Sequence, residues 1–227
     1  MVIMMRNHIQ KFDKMILFLC ERLLTSQNSI IKNAYSNKML NYYVSGSSSQ
    51  FINGSVRKTN PEYAFDQIDK NYDWCSNCGR SPDDHPFITF NIKNHIMNLE
   101  GYYVKSGCCG DSDCCCFEDN AYCCACGMYS WAFQISNDNI TWKTIHQGEK
   151  DAEMKRCKEK TFKFSEIYSA KYAKLIHIES CSDDPPCIAL NKIELIGTYD
   201  NNIIQPESYE NEDDDVSIIG HISKNRN

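Results

Sequence analysis

From about residue 43 onward, apolar and polar residues alternate with a period of two, the spacing of strands with one buried face. In Phe87–Ile92 the pattern puts Ile88, Phe90 and Ile92 on one side, and in 131–136 it puts Trp131, Phe133 and Ile135 there. Phe162 and Phe164 repeat it, and the segments 101–106, 173–180 and 190–197 read the same way. Clusters of Asn, Asp, Gly, Ser and Pro separate these runs, and no convincing helical stretch lies between them. Many short strands of this kind predict an all-β fold, a β-sandwich or barrel. Segment 130–147 predicts a hairpin: Ser136-Asn137-Asp138-Asn139 supplies turn residues, and Trp142 with Ile145 opens the return strand, so Trp131 and Trp142 are both expected in the core.

The flanks behave differently. Ile9, Phe12, Ile16, Leu19 and Leu23 recur at steps of three and four, which predicts an amphipathic N-terminal helix within residues 1–42. After Tyr199 the alternation stops, and QPESYENEDDD is too acidic and too poor in apolar residues to bury a face. The expected organisation is therefore helix and linker in 1–42, a β domain in 43–199, and a disordered acidic tail in 200–227.

Composition narrows the partners. A formal charge of −6 removes the clustered positive surface that nucleic acid or an anionic bilayer requires, so no nucleic-acid partner is expected. The apolar run MILFLC is too short for a transmembrane span or a signal-peptide core, and no small-residue cleavage site follows it. The expected location is therefore cytoplasmic, with reduced cysteines and with the sequons at Asn53 and Asn139 unmodified.

Eight of the chain's 14 cysteines crowd into GCCGDSDCCCFEDNAYCCACG, residues 107–127. Three states are open for them. Structural zinc would draw thiolates from Cys123, Cys124 and Cys126 and from Cys75 and Cys78, the last two having zinc-knuckle spacing. Disulfides would form in an oxidising compartment, and unligated loop thiols are the third state.

No Gly-rich phosphate loop, G-x-S-x-G or H-E-x-x-H occurs, and His85, His95, His146 and His177 are scattered, so no enzyme is expected. The pattern S-W-x-hydrophobic-x-x-S-N-D-x-x-x-W in 130–142 resembles the central hairpin of the discoidin family, the coagulation-factor 5/8 type C domain. Upstream, NPEYAFDQIDKNYDW (60–74) is similar to that family's P-x-x-A-x-D followed by an aromatic. Downstream, AKYAKLIHI (170–178) and IALNKIELIGTY (188–199) are similar to its A-R-Y-V-R-L and closing strands. The resemblance spans about 43–199 and implies a galactose-binding-like jelly-roll sandwich. Two departures stand out: neither end carries the cysteine that staples extracellular members, and 107–127 reads as an insertion on the sandwich.

The resemblance implies a noncatalytic recognition module whose ligand the fold leaves open. By resemblance alone, Asp66, Asp69 and Glu194 match positions that hold a structural calcium in sugar-binding members, against a reading of the aspartates as turn caps and Glu194 as an outward strand residue. Phe51 is the candidate ligand contact, for stacking on a sugar or anchoring a protein. The leading expectation is a protein partner in an intracellular setting, and the alternative is an extracellular or cell-surface carbohydrate-binding domain. In the tail, Asp213-Asp214-Asp215 before Val216-Ser217-Ile218-Ile219 resembles a SUMO-interacting motif.

Overall fold

The computed structural model describes residues 28–108, 115–116, 128–181 and 185–200. The N-terminal stripe Ile9–Leu23, the acidic tail with its SUMO-motif resemblance, and Cys123, Cys124 and Cys126 lie outside the described residues.

A short helix α1 (Ile30–Ser36) precedes eleven strands: β1 (Leu40–Val44), β2 (Ser49–Ile52), β3 (Ser55–Lys58), β4 (Trp74–Cys75), β5 (Phe87–Ile92), β6 (Met97–Ser106), β7 (Ser130–Ser136), β8 (Lys143–Gly148), β9 (Glu159–Ala170), β10 (Tyr172–Glu179) and β11 (Ala189–Tyr199). They form a five-stranded sheet in the order β1-β5-β10-β7-β8, a four-stranded sheet β4-β11-β6-β9, and a separate β2-β3 hairpin. All their pairings are antiparallel, so the expected two-sheet sandwich is present.

The period-two pattern sets the core. Ile88, Phe90 and Ile92 of β5, Trp131, Phe133 and Ile135 of β7, and Leu175 of β10 are buried against Leu99, Tyr102 and Val104 of β6 and Ile193 and Leu195 of β11. Each such side chain contributes on the order of 1.5–3 kcal/mol by leaving water. Tyr102 joins the layers. Its ring stacks on Phe133 at 4.4 Å and on Phe162 at 4.9 Å, while its hydroxyl accepts from Trp131 Nε1 at 2.9 Å and meets His146 Nδ1 at 2.7 Å. The third tryptophan, Trp74, is fully buried in β4 and donates to Ser47 Oγ at 3.0 Å.

Two expectations change here. Trp142 is only partly buried, outside the core. A bulge opposite Phe133 and Gln134 shifts the β7–β8 register, and Trp142 precedes β8, where the ammonium of outward-facing Lys174 covers its ring at 3.4 Å from the centroid. The packed unit also begins before residue 43, because Ile30, Ile31 and Ala34 of α1 are buried in the main core. Half-buried Glu194 of β11 holds that helix, accepting from Ile31 N at 2.7 Å and Lys32 N at 3.2 Å.

The strand registers define two ends. One carries the β5–β6 turn, the β7–β8 turn and Asp200. The other carries the β2–β3 hairpin, loop 76–86, the described parts of the cysteine-rich segment, loop 149–158 and residues 180–181 and 185–188.

Candidate recognition surface

The second end is built on the β2–β3 hairpin. Its two-residue turn is Asn53-Gly54, with φ of 51° and 81°, the positive pair that matches a hairpin's twist and that Gly54 adopts without a Cβ clash. Ser49, Gln50 and Ile52 are buried, whereas Phe51 is 37% exposed and lies across the hairpin from Val56, 45% exposed. Phe51 thus stands on the hairpin partly open to solvent.

A buried polar hub holds this hairpin to the loops. The Asp73 carboxylate accepts from Cys108 N at 2.8 Å, from Gln50 Nε2 at 3.1 Å and from Asn191 Nδ2 at 3.2 Å, and Gln50 Oε1 accepts from Asp73 N at 3.0 Å. Thr59 Oγ1 accepts from Cys75 N at 3.0 Å, and Cys116 N donates to Ser48 Oγ at 3.2 Å. Removing one member of such a network leaves the others buried without partners, which costs about 1–3 kcal/mol per group.

Disulfides complete the framework. Cys75 pairs with Cys115, Cys78 with Cys116, and Cys108 with Cys157, and Cys181 and Cys187 are disulfide-bonded as well. Cys75, Cys115, Cys116 and Cys187 pack with Ala189 as a second small core under the loops. The segment between β6 and β7 is therefore more than an ornament: its described cysteines are tied to β4, to loop 76–86 and to the approach to β9.

These bonds overturn the cytoplasmic expectation. All eight cysteines among the described residues are disulfide-bonded, a state that an oxidising compartment sustains and the cytosol does not. The reasoning that left Asn53 and Asn139 unmodified falls with it, and both lie exposed at turns. The premise of an intracellular partner falls too.

The expected metal ligands find other partners. Cys75 and Cys78 spend their sulfurs on disulfides and are not zinc thiolates in this state. Asp66 accepts from Ile68 N at 3.2 Å and forms an ion pair with Lys70, as a turn cap does, and Asp69 is exposed. Glu194 is committed to α1, and burial outweighs its backbone donors, raising its carboxyl to about 7. These three carboxylates do not fit a calcium site as they stand: among the described residues no group of three or more His, Cys, Asp or Glu side chains is placed to hold a metal ion.

Beside the hairpin, the loops present polar groups. Asp84 accepts from Arg80 N at 2.6 Å and Ser81 N at 3.0 Å, and these backbone donors hold its carboxyl below the usual range. The His85 ring lies 6.4 Å from that of His177, a buried residue whose Nε2 meets Ser180 Oγ at 2.8 Å and whose pKa burial lowers to about 4. Ser130 Oγ donates to Glu179 at 3.1 Å, and Lys150 Nζ lies 3.8 Å from the same carboxylate. This end carries a partly exposed aromatic ring together with imidazole, ammonium and carboxylate groups.

Neither a protein-family model nor a curated protein matches the sequence. Solved structures do match by shape. The carbohydrate-binding module CpGH89CBM32-5 of Clostridium perfringens, solved with GalNAc-β-1,3-galactose, aligns over 74% of this chain and 99% of its own at 12% identity and a TM-score of 0.50. Module CBM32-3 from a family 31 glycoside hydrolase of the same organism aligns over 77% and 97% at 13% identity and a TM-score of 0.50. With its two antiparallel sheets in this order and this likeness across whole modules, the chain has the galactose-binding-like sandwich fold of discoidin and CBM32 domains.

Proposed function

We propose that the protein is a noncatalytic carbohydrate-recognition module that works in an oxidising, extracytoplasmic setting. The observation that carries the reading is the alignment with two carbohydrate-binding modules over 99% and 97% of their lengths, which leaves the chain the whole of such a module's framework. Phe51 is the stacking residue in this account. Its exposed ring sits on a hairpin fixed by the Asn53-Gly54 turn and the Asp73 hub, so little side-chain or loop entropy is lost when a pyranose packs its C–H face against it.

Isothermal titration of the intact oxidised protein with galactose and with GalNAc-β-1,3-galactose tests the reading. The expected result is saturable binding that weakens roughly ten-fold or more in Phe51→Ala, with the unfolding midpoint unchanged. Absence of binding to either sugar at millimolar concentration, or equal binding by Phe51→Ala, overturns it.

A further inference from the structure

The opposite end of the sandwich holds a separate cleft of about 440 Å³ between the β7–β8 turn and the end of β9. Trp142, Tyr168, Lys143, Asn137, Thr141 and Ser169 are among its lining residues. Two aromatic rings therefore form part of its walls, and each is paired with a lysine. Lys143 Nζ lies 5.1 Å from the Tyr168 ring centre, and Lys174 Nζ stands 3.4 Å from that of Trp142, outside the lining. No ion pair engages either lysine among the described residues, where the paired lysines are Lys70, Lys150 and Lys160.

Two carboxylates stand nearby. Asp138 lines the cleft, but its Oδ1 accepts from Thr141 N at 2.7 Å and from Ile140 N and Ser136 Oγ at 2.8 Å each. Glu166 does not line the cleft. Asn137 Oδ1 accepts from Lys171 N at 3.1 Å, so the amide keeps its NH₂ group as donors. The cleft thus combines ring surface, hydroxyls, amide donors, the ionised Asp138 carboxylate bound into its own turn, and a lysine that makes no ion pair among the described residues.

A neutral sugar seated here would desolvate the Lys143 ammonium and return no charge to it, whereas an anionic substituent would meet it directly. We propose that this cleft is a second saccharide site, selective for a sugar that carries a carboxylate or a sulfate. The rings pack against the pyranose, Lys143 and the Asn137 amide take the anion, and Thr141 and Ser169 meet hydroxyls. The site lies at the other end of the fold from Phe51, and its existence does not depend on the loop-end reading.

The test is titration of the full oxidised chain with a glucuronate disaccharide, a sulfated galactose disaccharide and unsubstituted galactose, at low and high salt. Expected is binding of at least one acidic sugar that weakens roughly ten-fold in Trp142→Ala and in Lys143→Met and falls with added salt, while any binding of galactose is unchanged by either variant. The carboxylate and sulfate arms show which anion is preferred. Lys143→Met, an exposed change, reports on the site even if Trp142→Ala loses stability. The proposal is overturned if neither acidic sugar binds at millimolar concentration, or if acidic-sugar binding is indifferent to Lys143→Met. Galactose binding without acidic-sugar binding removes this cleft alone, and the reverse removes the Phe51 site alone.

Discussion

The paired bridges Cys75–Cys115 and Cys78–Cys116 should behave as one staple with a backup. Their sequence separations are 40 and 38 residues, so either bond alone closes nearly the same loop. The loop-entropy relation gives about 4 kcal/mol for closing such a loop first. Once Cys75–Cys115 has formed, Cys78–Cys116 closes a ring of only about five residues, for which the same relation gives about 2 kcal/mol. Removing one bridge by a double Ala substitution should therefore cost about 2 kcal/mol, and removing the second a further ~4 kcal/mol. Urea unfolding of wild type, Cys75→Ala/Cys115→Ala, Cys78→Ala/Cys116→Ala and the quadruple variant measures these steps. Equal, additive losses of about 4 kcal/mol each would refute the shared-loop reasoning. So would a quadruple variant as stable as wild type. By the same logic, deleting residues 108–127 should destabilise the domain, since it strips Cys75, Cys78 and Cys157 of their partners.

Three further outcomes follow from the packing and the buried charges. Trp74→Ala should cost about 3–5 kcal/mol and Trp142→Ala about 1 kcal/mol or less, because the first empties a fully buried site and the second removes a partly exposed cation–π contact; thermal unfolding ranks them, and equal losses contradict the assignment. Asp73→Ala should cost about 2–4 kcal/mol by stranding Cys108 N, Gln50 and Asn191, seen as a lowered urea midpoint with faster amide exchange in β2, and a neutral result would show the hub is dispensable. His177 is lowered from 6.5 to about 4, so its stabilisation is full above pH 6.5 and is lost as pH falls toward 4; Glu194 is raised from 4.5 to about 7, so its contribution is full below 4.5 and is lost as pH rises toward 7. The two slopes oppose each other between pH 4.5 and 6.5, and Glu194→Gln should expose a rise of about 1.4 kcal/mol per pH unit there, which a flat profile would exclude.

The alternation that lays Ile88, Phe90 and Ile92 or Trp131, Phe133 and Ile135 on one face was readable because a strand with one buried side repeats every two residues. Trp142 escaped that logic because a bulge changes the parity of the hairpin, and a bulge leaves no period in the sequence. Helix α1 contributes only Ile30, Ile31 and Ala34 to the core, too few positions for a helical period to stand out before residue 43. Phe51, the candidate ligand contact, lies in strand β2 and not in a loop, and the Asn53-Gly54 pair that turns its hairpin is a local signal present in the sequence. The cysteine pairing was not legible, since spacing cannot distinguish partners among 14 cysteines, and Cys75 and Cys78 have the spacing of zinc ligands as well as of two neighbouring bridges. Asp73, Gln50 and Asn191 could not be assembled from sequence either, because the hub joins positions more than a hundred residues apart.

The disulfide-stapled end is the proposed glycan-recognition surface. Two-dimensional NMR of isotopically labelled, oxidised protein titrated with galactose addresses it residue by residue. Expected are saturable shifts clustered on the β2–β3 hairpin (residues 49–58), loop 76–86 and the region of Ser130, Lys150 and Glu179, with the face of the four-stranded sheet unmoved. Absent shifts, or shifts confined to residues away from this end, would contradict it.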